Sequence, residues 1–109
     1  MFEIREGCTC VNGAVFQTFE RDAREDGVSL EVEAGTTGFC GGGRKEGGRA
    51  YLRIQNEGAD FFARVLENDD KRPEGVVLAV CGDNEIVALI KALDFAAQVL
   101  RDQVEEIND

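Results

Sequence analysis

Two stretches in which apolar and polar side chains strictly alternate most constrain the fold of this chain. Apolar side chains recur at every second position over residues 28–34 and again over residues 49–56. Because successive side chains of a strand point to opposite faces, this pattern predicts two strands that each bury one face. Residues 60–68 and 76–81 are predicted as two further strands. We therefore expect an antiparallel sheet of about four strands.

A long helix is predicted from about Glu85 to Glu106, after a start signal at residues 82–84. Asp83 or Asn84 can cap this helix, since a short polar side chain there accepts a hydrogen bond from a free backbone N–H group. The helix has an apolar stripe at helical spacing, which is expected to cover the sheet. The stripe comprises Ile86, Leu89, Ile90, Leu93, Ala96, Ala97, Leu100 and Val104. The predicted fold class is therefore α+β, with one long C-terminal helix packed on the sheet.

A second, weaker apolar set lies on the same helix and consists of Ala88, Ala92, Phe95 and Val99. A surface helix on a small sheet needs only one apolar face, so the second set predicts an interface with another subunit. The alternative is that residues 14–25 cover it. We accordingly expect a homo-oligomer, a dimer or higher. The 109 residues leave room for a single domain, in which residues 1–27 form an arm of uncertain structure.

The glycine-rich segment between the two alternating strands is the candidate binding site. Its glycines allow backbone N–H groups to converge on an anion, and the basic residues beside them can grip a phosphate. Arg53, on the next strand, is either a ligand contact or half of a cross-strand ion pair, and Asp83 and Asn84 either contact a ribose or base edge or act as helix caps. A long loop of this composition is also compatible with a flexible connection. The candidate ligand-binding residues are Thr36, Thr37, Phe39, Arg44, Lys45, Arg49, Arg53, Asp83 and Asn84.

The charge of the chain restricts its partners. The net charge of −10 argues against binding a long nucleic acid or an anionic membrane, both of which need a basic face. The basic residues that cluster around the glycine-rich segment suit a small anionic ligand better. The N-terminus lacks the pattern of a signal peptide and no apolar run is long enough to span a membrane, so we expect a cytoplasmic location.

Few residues of this chain suit catalysis or metal binding. The chain has no histidine to act as a general base, and its single serine, Ser29, falls on a regular strand. The spacing of the four cysteines matches none of the usual zinc ligand pairs. We therefore expect no catalytic residue, no metal site and no cofactor.

The run Leu-Glu-Val-Glu-Ala-Gly-Thr-Thr-Gly-Phe-Cys-Gly-Gly, which begins at Leu30, and the later run Gly-Arg-Ala-Tyr-Leu-Arg-Ile, which begins at Gly48, resemble the phage sponges that counter the Thoeris defence. The start of the helix and its segment 92–95 agree with this resemblance, which covers roughly residues 28–101. In that family an Asp and a His often occur in the glycine loop, where this chain has Gly43 and Glu46 nearby.

The resemblance implies an oligomer that acts in the bacterial cytoplasm during phage infection. It also implies a ligand that is sequestered without turnover, namely a cyclic ADP-ribose signal or a cyclic oligonucleotide. The acidic composition and the apolar excess on the helix support an alternative function. In that case the chain is an inhibitor of the anti-nuclease or anti-CRISPR type that binds a host protein.

Overall fold

The computed structural model describes residues 4–38 and 48–108. Within these ranges the chain forms six strands followed by one helix, which confirms the α+β class. The elements are β1 Arg5–Val11, β2 Ala14–Glu25, β3 Val28–Thr36, β4 Ala50–Asn56, β5 Phe61–Glu67, β6 Pro73–Val80 and α1 Asp83–Asn108. No helix in the described part of the chain is long and apolar enough to cross a membrane.

The segment before residue 28 contributes two strands to the main sheet. Strands β1 to β4 form an antiparallel meander in the order β1-β2-β3-β4. The turns Asn12-Gly13 and Asp26-Gly27 join the first three strands, and all four turn residues have positive φ. Two consecutive residues with positive φ match the twist of the flanking strands, which makes these pairs suitable for tight hairpins. The N-terminal arm of uncertain structure is thus a regular β-hairpin.

The two C-terminal strands do not join this sheet, contrary to the prediction of one sheet from residues 28–34, 49–56, 60–68 and 76–81. Strands β5 and β6 pair with each other as a separate two-stranded sheet. The other two strands of the four-stranded sheet are instead β1 and β2, and β2 pairs with β3 from Val28 to Gly35. Gly58, with a φ of 116°, lies where the chain leaves β4 for the hairpin.

Helix α1 packs on one face of the main sheet, across β2 and β3. Most helix residues that face the sheet are small, with Phe95 as a large exception, and this lets the two backbones approach closely. The core between the two layers comprises Ala23, Val32, Ala34, Ala92, Ala96 and Val99, with Phe19, Ile54 and Phe95 partly buried against it.

The prediction of which helix face covers the sheet was therefore wrong. The set assigned to the oligomer interface, Ala88, Ala92, Phe95 and Val99, faces the sheet: Ala88, Ala92 and Val99 are buried and Phe95 is half-buried. Of the stripe assigned to the sheet, only Ala96 is buried there. The larger side chains lie away from the sheet because the small ones give a closer contact. We call the exposed or half-buried residues of that stripe the outer stripe: Ile86, Leu89, Ile90, Leu93, Ala97, Leu100 and Val104.

Candidate functional site

The two ends of the glycine-rich segment are joined by hydrogen bonds between Thr36, Thr37 and Arg49. The Thr37 N–H donates to the Arg49 carbonyl at 2.9 Å, and the Arg49 N–H donates to Thr37 Oγ1 at 2.9 Å. Thr36 Oγ1 donates to the same carbonyl at 2.9 Å and accepts from the Gly38 N–H at 3.0 Å. The threonine hydroxyls, predicted as ligand donors, therefore hold the base of the loop together and position Arg49.

Gln103 fixes the C-terminal half of the helix to this loop base. Its side chain is buried, accepts from the Thr36 N–H at 2.7 Å and donates to the Gln17 carbonyl at 2.8 Å. A buried amide is stable only when both its donor and its acceptor are satisfied, and here both are. Sequence reasoning did not identify Gln103, because a lone glutamine on a helix carries no local signal of such a role.

A cleft of about 410 Å³ opens next to the loop base, between the β1–β2 turn and the start of β4. Its lining residues are Val11, Asn12, Phe16, Arg49, Ala50 and Tyr51, and we call it the aromatic cleft. The ring centroids of Phe16 and Tyr51 lie 5.8 Å apart, and the two ring planes are tilted by 34° relative to each other. Within residues 4–38 and 48–108, no carboxylate pairs with the guanidinium of Arg49. The cleft therefore combines an aromatic wall with a positive charge that no described carboxylate compensates.

A larger groove of about 830 Å³ lies elsewhere, between the helix and β2. Apolar side chains such as Phe19, Phe95 and Val99 line it together with three basic residues, Arg21, Arg24 and Lys91, and three carboxylates, Asp22, Asp94 and Asp102. The positive and negative charges of this lining are equal in number, so the groove offers an anion no excess positive charge. The smaller aromatic cleft is therefore the better candidate for an anion, despite its size.

Arg53 is not free to bind a ligand, because it is surrounded by carboxylates on the sheet face opposite the helix. Its Nη2 atom lies 2.9 Å from Glu20 Oε2 and 2.8 Å from Glu31 Oε1, and its Nε donates to Glu33 Oε1 at 3.0 Å. Burial alone would lower the pKa of Arg53, but its hydrogen bonds to Glu31 and Glu33 raise that pKa above its ordinary value. The cross-strand ion pair, not the ligand contact, is the role that the structure gives to Arg53.

Glu33 connects this charged network to the aromatic cleft. Its carboxylate accepts hydrogen bonds from Thr18 at 2.5 Å, from Thr9 at 3.0 Å and from the Tyr51 hydroxyl at 3.3 Å. Burial would raise the pKa of Glu33, but the hydrogen bonds from Thr18, Arg53 and Thr9 outweigh it and hold the pKa below its ordinary value. Tyr51 is therefore oriented through its hydroxyl group, which fixes the ring that forms one wall of the cleft.

Three carboxylates at the far end of the same sheet face lie close together. Oxygens of Asp22, Glu31 and Glu57 lie within 4.8 Å of one another. Burial and the negative charges of Asp22 and Glu31 raise the pKa of Glu57. Arg5 also lies 3.3 Å from Asp22 and 3.7 Å from Glu31, so a guanidinium already compensates part of this charge. We assign no metal to this cluster.

The structure separates several of the predicted ligand residues from one another. Asp83 and Asn84 begin the helix, and about two turns later Lys91 Nζ donates to the Arg24 carbonyl at 2.9 Å, close to the β2–β3 turn. Thr36, at the base of the glycine-rich loop, contacts Gln103 near the other end of the helix. Within one chain Asp83 and Asn84 therefore cannot share a site with Arg49. The predicted residues Phe39, Arg44 and Lys45 lie outside the described residues.

Comparison of the chain with protein-family models finds no match, and neither do comparisons with curated proteins or with solved structures. No relative therefore assigns a role to any of these residues. The chemistry of the site rests on the side chains of the aromatic cleft itself.

Proposed function

We propose that this chain binds a small phosphorylated nucleotide in the aromatic cleft and holds it without chemical turnover. The observation that carries the proposal is the guanidinium of Arg49, which pairs with no carboxylate among the described residues, beside the rings of Phe16 and Tyr51. A guanidinium can bind phosphate through two N–H···O bonds, and an aromatic ring offers its face to a base. A nucleotide carries both groups in one molecule. Phe16 is buried behind the cleft, so Tyr51 is the ring that would meet the base.

The glycine-rich loop belongs to the same proposed site. The cleft lies at its base, and its volume of about 410 Å³ falls within the ordinary range for small-molecule pockets. The sequence prediction adds Phe39, Arg44 and Lys45 to this site, and these three residues lie outside the described ones.

The resemblance to Thoeris-countering sponges suggests the class of ligand. We propose a cyclic nucleotide-type immune signal, either cyclic ADP-ribose or a cyclic oligonucleotide, which the chain removes from solution in the cytoplasm of an infected bacterium. A phage counter-defence sponge needs only to bind such a signal, so no catalytic group is required. Assembly as a homo-oligomer is part of this proposal.

Isothermal titration calorimetry with cyclic ADP-ribose and with cyclic oligonucleotides tests the proposal, with Arg49→Ala as the variant. Loss of the phosphate contact should weaken binding about tenfold or more. Arg64→Ala, which removes an exposed guanidinium from β5, is the matched control and should bind like the wild type. Denaturing mass spectrometry of the complex should release the ligand unchanged. Equal affinity for Arg49→Ala and wild type would refute the site, and an altered product would indicate an enzyme.

Binding to a host protein is the alternative function. On the sheet face opposite the helix, Arg5 and Arg53 partly compensate the carboxylates, so this face is a poor mimic of a polyanion. A single host protein recovered in stoichiometric amounts, together with no response to any nucleotide in the titrations, would favour this alternative.

A further inference from the structure

The β5–β6 hairpin carries apolar side chains on both of its faces. Its register places one set of side chains together on one face: Phe61, Ala63, Val65, Val76, Leu78 and Val80. The opposite face carries Phe62, Leu66 and Val77. Arg64 is the charged residue on that face. Strands that are apolar on both faces are typical of sheets that are covered on both sides.

In the single chain these hairpin faces are largely open to solvent. Val76 is 64% exposed, and Phe62, Val65, Leu66 and Leu78 are exposed as well. A two-stranded hairpin is only marginally stable in water unless another layer packs on it. The hairpin contacts its own helix near the first turn, where the Asp60 N–H donates to Glu85 Oε2 at 3.2 Å. The described part of its own chain therefore does not supply the missing layer.

The outer stripe of the helix is a second apolar surface without a covering layer. Ile90 is 52% exposed, and Ile86 and Leu93 are similarly exposed. The polar residues of the helix, including Lys91 and Asp94, line the groove on the β2 side, so the outer stripe lies on the β4 side. There β4 adds the exposed side chain of Leu52 to the same surface.

These two surfaces together are larger than a monomer usually exposes. The largest apolar patch on a typical monomer is about 300–600 Å². Seven large side chains, each between about a third and two thirds exposed, contribute on the order of 700 Å² here, which is within the range that each partner of a stable interface buries. The seven are Leu52 on β4, Ile86, Ile90 and Leu93 on the helix, and Val65, Val76 and Leu78 on one face of the hairpin. An exposed area of this size favours a permanent partner.

We propose that the partner is a second copy of this chain, with the β5–β6 hairpin of each copy packed on the outer stripe of the other. One chain carries both apolar surfaces, so a two-fold arrangement covers both at once. The middle of the outer stripe and the paired positions 61, 63, 65, 76, 78 and 80 of one hairpin face carry no charged side chain. Glu67 and Glu74 lie beyond these pairs, towards the hairpin turn, so the contact is compatible with a net charge of −10 on each chain. The proposal does not depend on the nucleotide site.

Sedimentation velocity over a concentration series tests this interface with Val76→Asp and Ile90→Asp. Each substitution places a carboxylate in the contact and should raise the self-dissociation constant about tenfold or more. Val15→Asp is the matched control, because Val15 is 59% exposed but lies on β2, outside both surfaces. This control should sediment like the wild type, and circular dichroism should show that all three variants are folded.

Hydrogen exchange identifies the surface independently of any substitution. Amides of β5 and β6 in the wild type should be protected at high concentration and lose that protection on dilution, whereas amides of β3 should stay protected throughout. A wild type that sediments as a monomer at every concentration overturns the proposal. An oligomer that survives both Val76→Asp and Ile90→Asp overturns it as well. Calorimetry with Arg49→Ala tests the nucleotide site separately.

Discussion

The main sheet and the β5–β6 hairpin contain strands of similar composition, but they differ sharply in burial. The central strand β3 is buried along nearly its whole length, because β2 and β4 flank it and the helix covers one face. Strand β6 is richer in valine, with three in eight residues against two in nine for β3, yet most of its residues are exposed. The intrinsic strand propensity is therefore similar in both regions. Their difference in burial comes from the number of strands and layers that pack against each strand.

The comparison also extends to charge. On the main sheet, guanidiniums and carboxylates of neighbouring strands form a continuous network on the face away from the helix. On the hairpin, Arg64 lies among apolar neighbours. Charged residues on the main sheet thus help to fix its register, whereas the hairpin depends on what packs against it. The following substitutions test this contrast.

The largest expected difference is between two Leu→Ala substitutions. Leu30 on β3 is fully buried, so Leu30→Ala leaves a cavity and should lower the free energy of unfolding by about 2–5 kcal/mol. Leu78→Ala on β6 removes a side chain that is 37% exposed and should lower it by less than about 1 kcal/mol in dilute, monomeric protein. Urea denaturation of both variants measures the difference. Equal losses would show that the hairpin is as well packed as the main sheet.

A smaller effect is expected when Arg53 is replaced. Arg53→Met removes the cation shared by Glu20, Glu31 and Glu33 and should destabilise the chain by about 2 kcal/mol, because partly buried carboxylates then lack a partner. Arg64→Met on the hairpin is the matched control and should change stability by less than about 0.5 kcal/mol. Thermal unfolding of both variants at neutral pH measures the difference in stability between them. A neutral Arg53→Met would contradict the role given to the network.

The smallest expected effect comes from replacing Glu33, whose contribution to stability depends on pH. Because folding lowers the pKa of Glu33 below its ordinary value of 4.5, its contribution is fully present above pH 4.5 and is lost as the pH falls through the folded-state pKa. Glu33→Gln should cost about 1 kcal/mol near neutral pH. This difference from wild type should shrink in acid.

Thermal unfolding of both proteins from pH 7 down to pH 3 measures this dependence. Glu67→Gln, which removes an exposed carboxylate from the hairpin, is the control for the loss of one negative charge. A gap between Glu33→Gln and wild type that stays constant into acid would show that the carboxylate is not stabilised by its partners.

The elements of the fold were largely predictable, but their arrangement was not. Alternation identified β3 and β4, and the capped apolar run identified the helix, since both signals come from neighbouring residues. The helix face that packs on the sheet was predicted incorrectly. Ala88 and Ala92 are weak signals by hydrophobicity, yet their small size is what allows close packing.

The candidate site was predictable only in part. Arg49 was recognised from the basic residues around the glycine-rich loop. That signal does not show that Phe16 on β2 lies beside Tyr51, because the two rings are 35 residues apart in sequence. Only strand pairing through β3 places them together.

The sequence by itself determined the α+β class, the strong acidity, the long C-terminal helix and the basic character of the loop ends. These properties depend on composition and on contacts over a few residues. Tertiary structure decided that β5 and β6 stand apart, that Arg53 is compensated by glutamates and that the large residues of the helix face outward. The reason is that burial and charge pairing depend on contacts between residues that are distant in sequence. Those contacts form only in the complete folded structure.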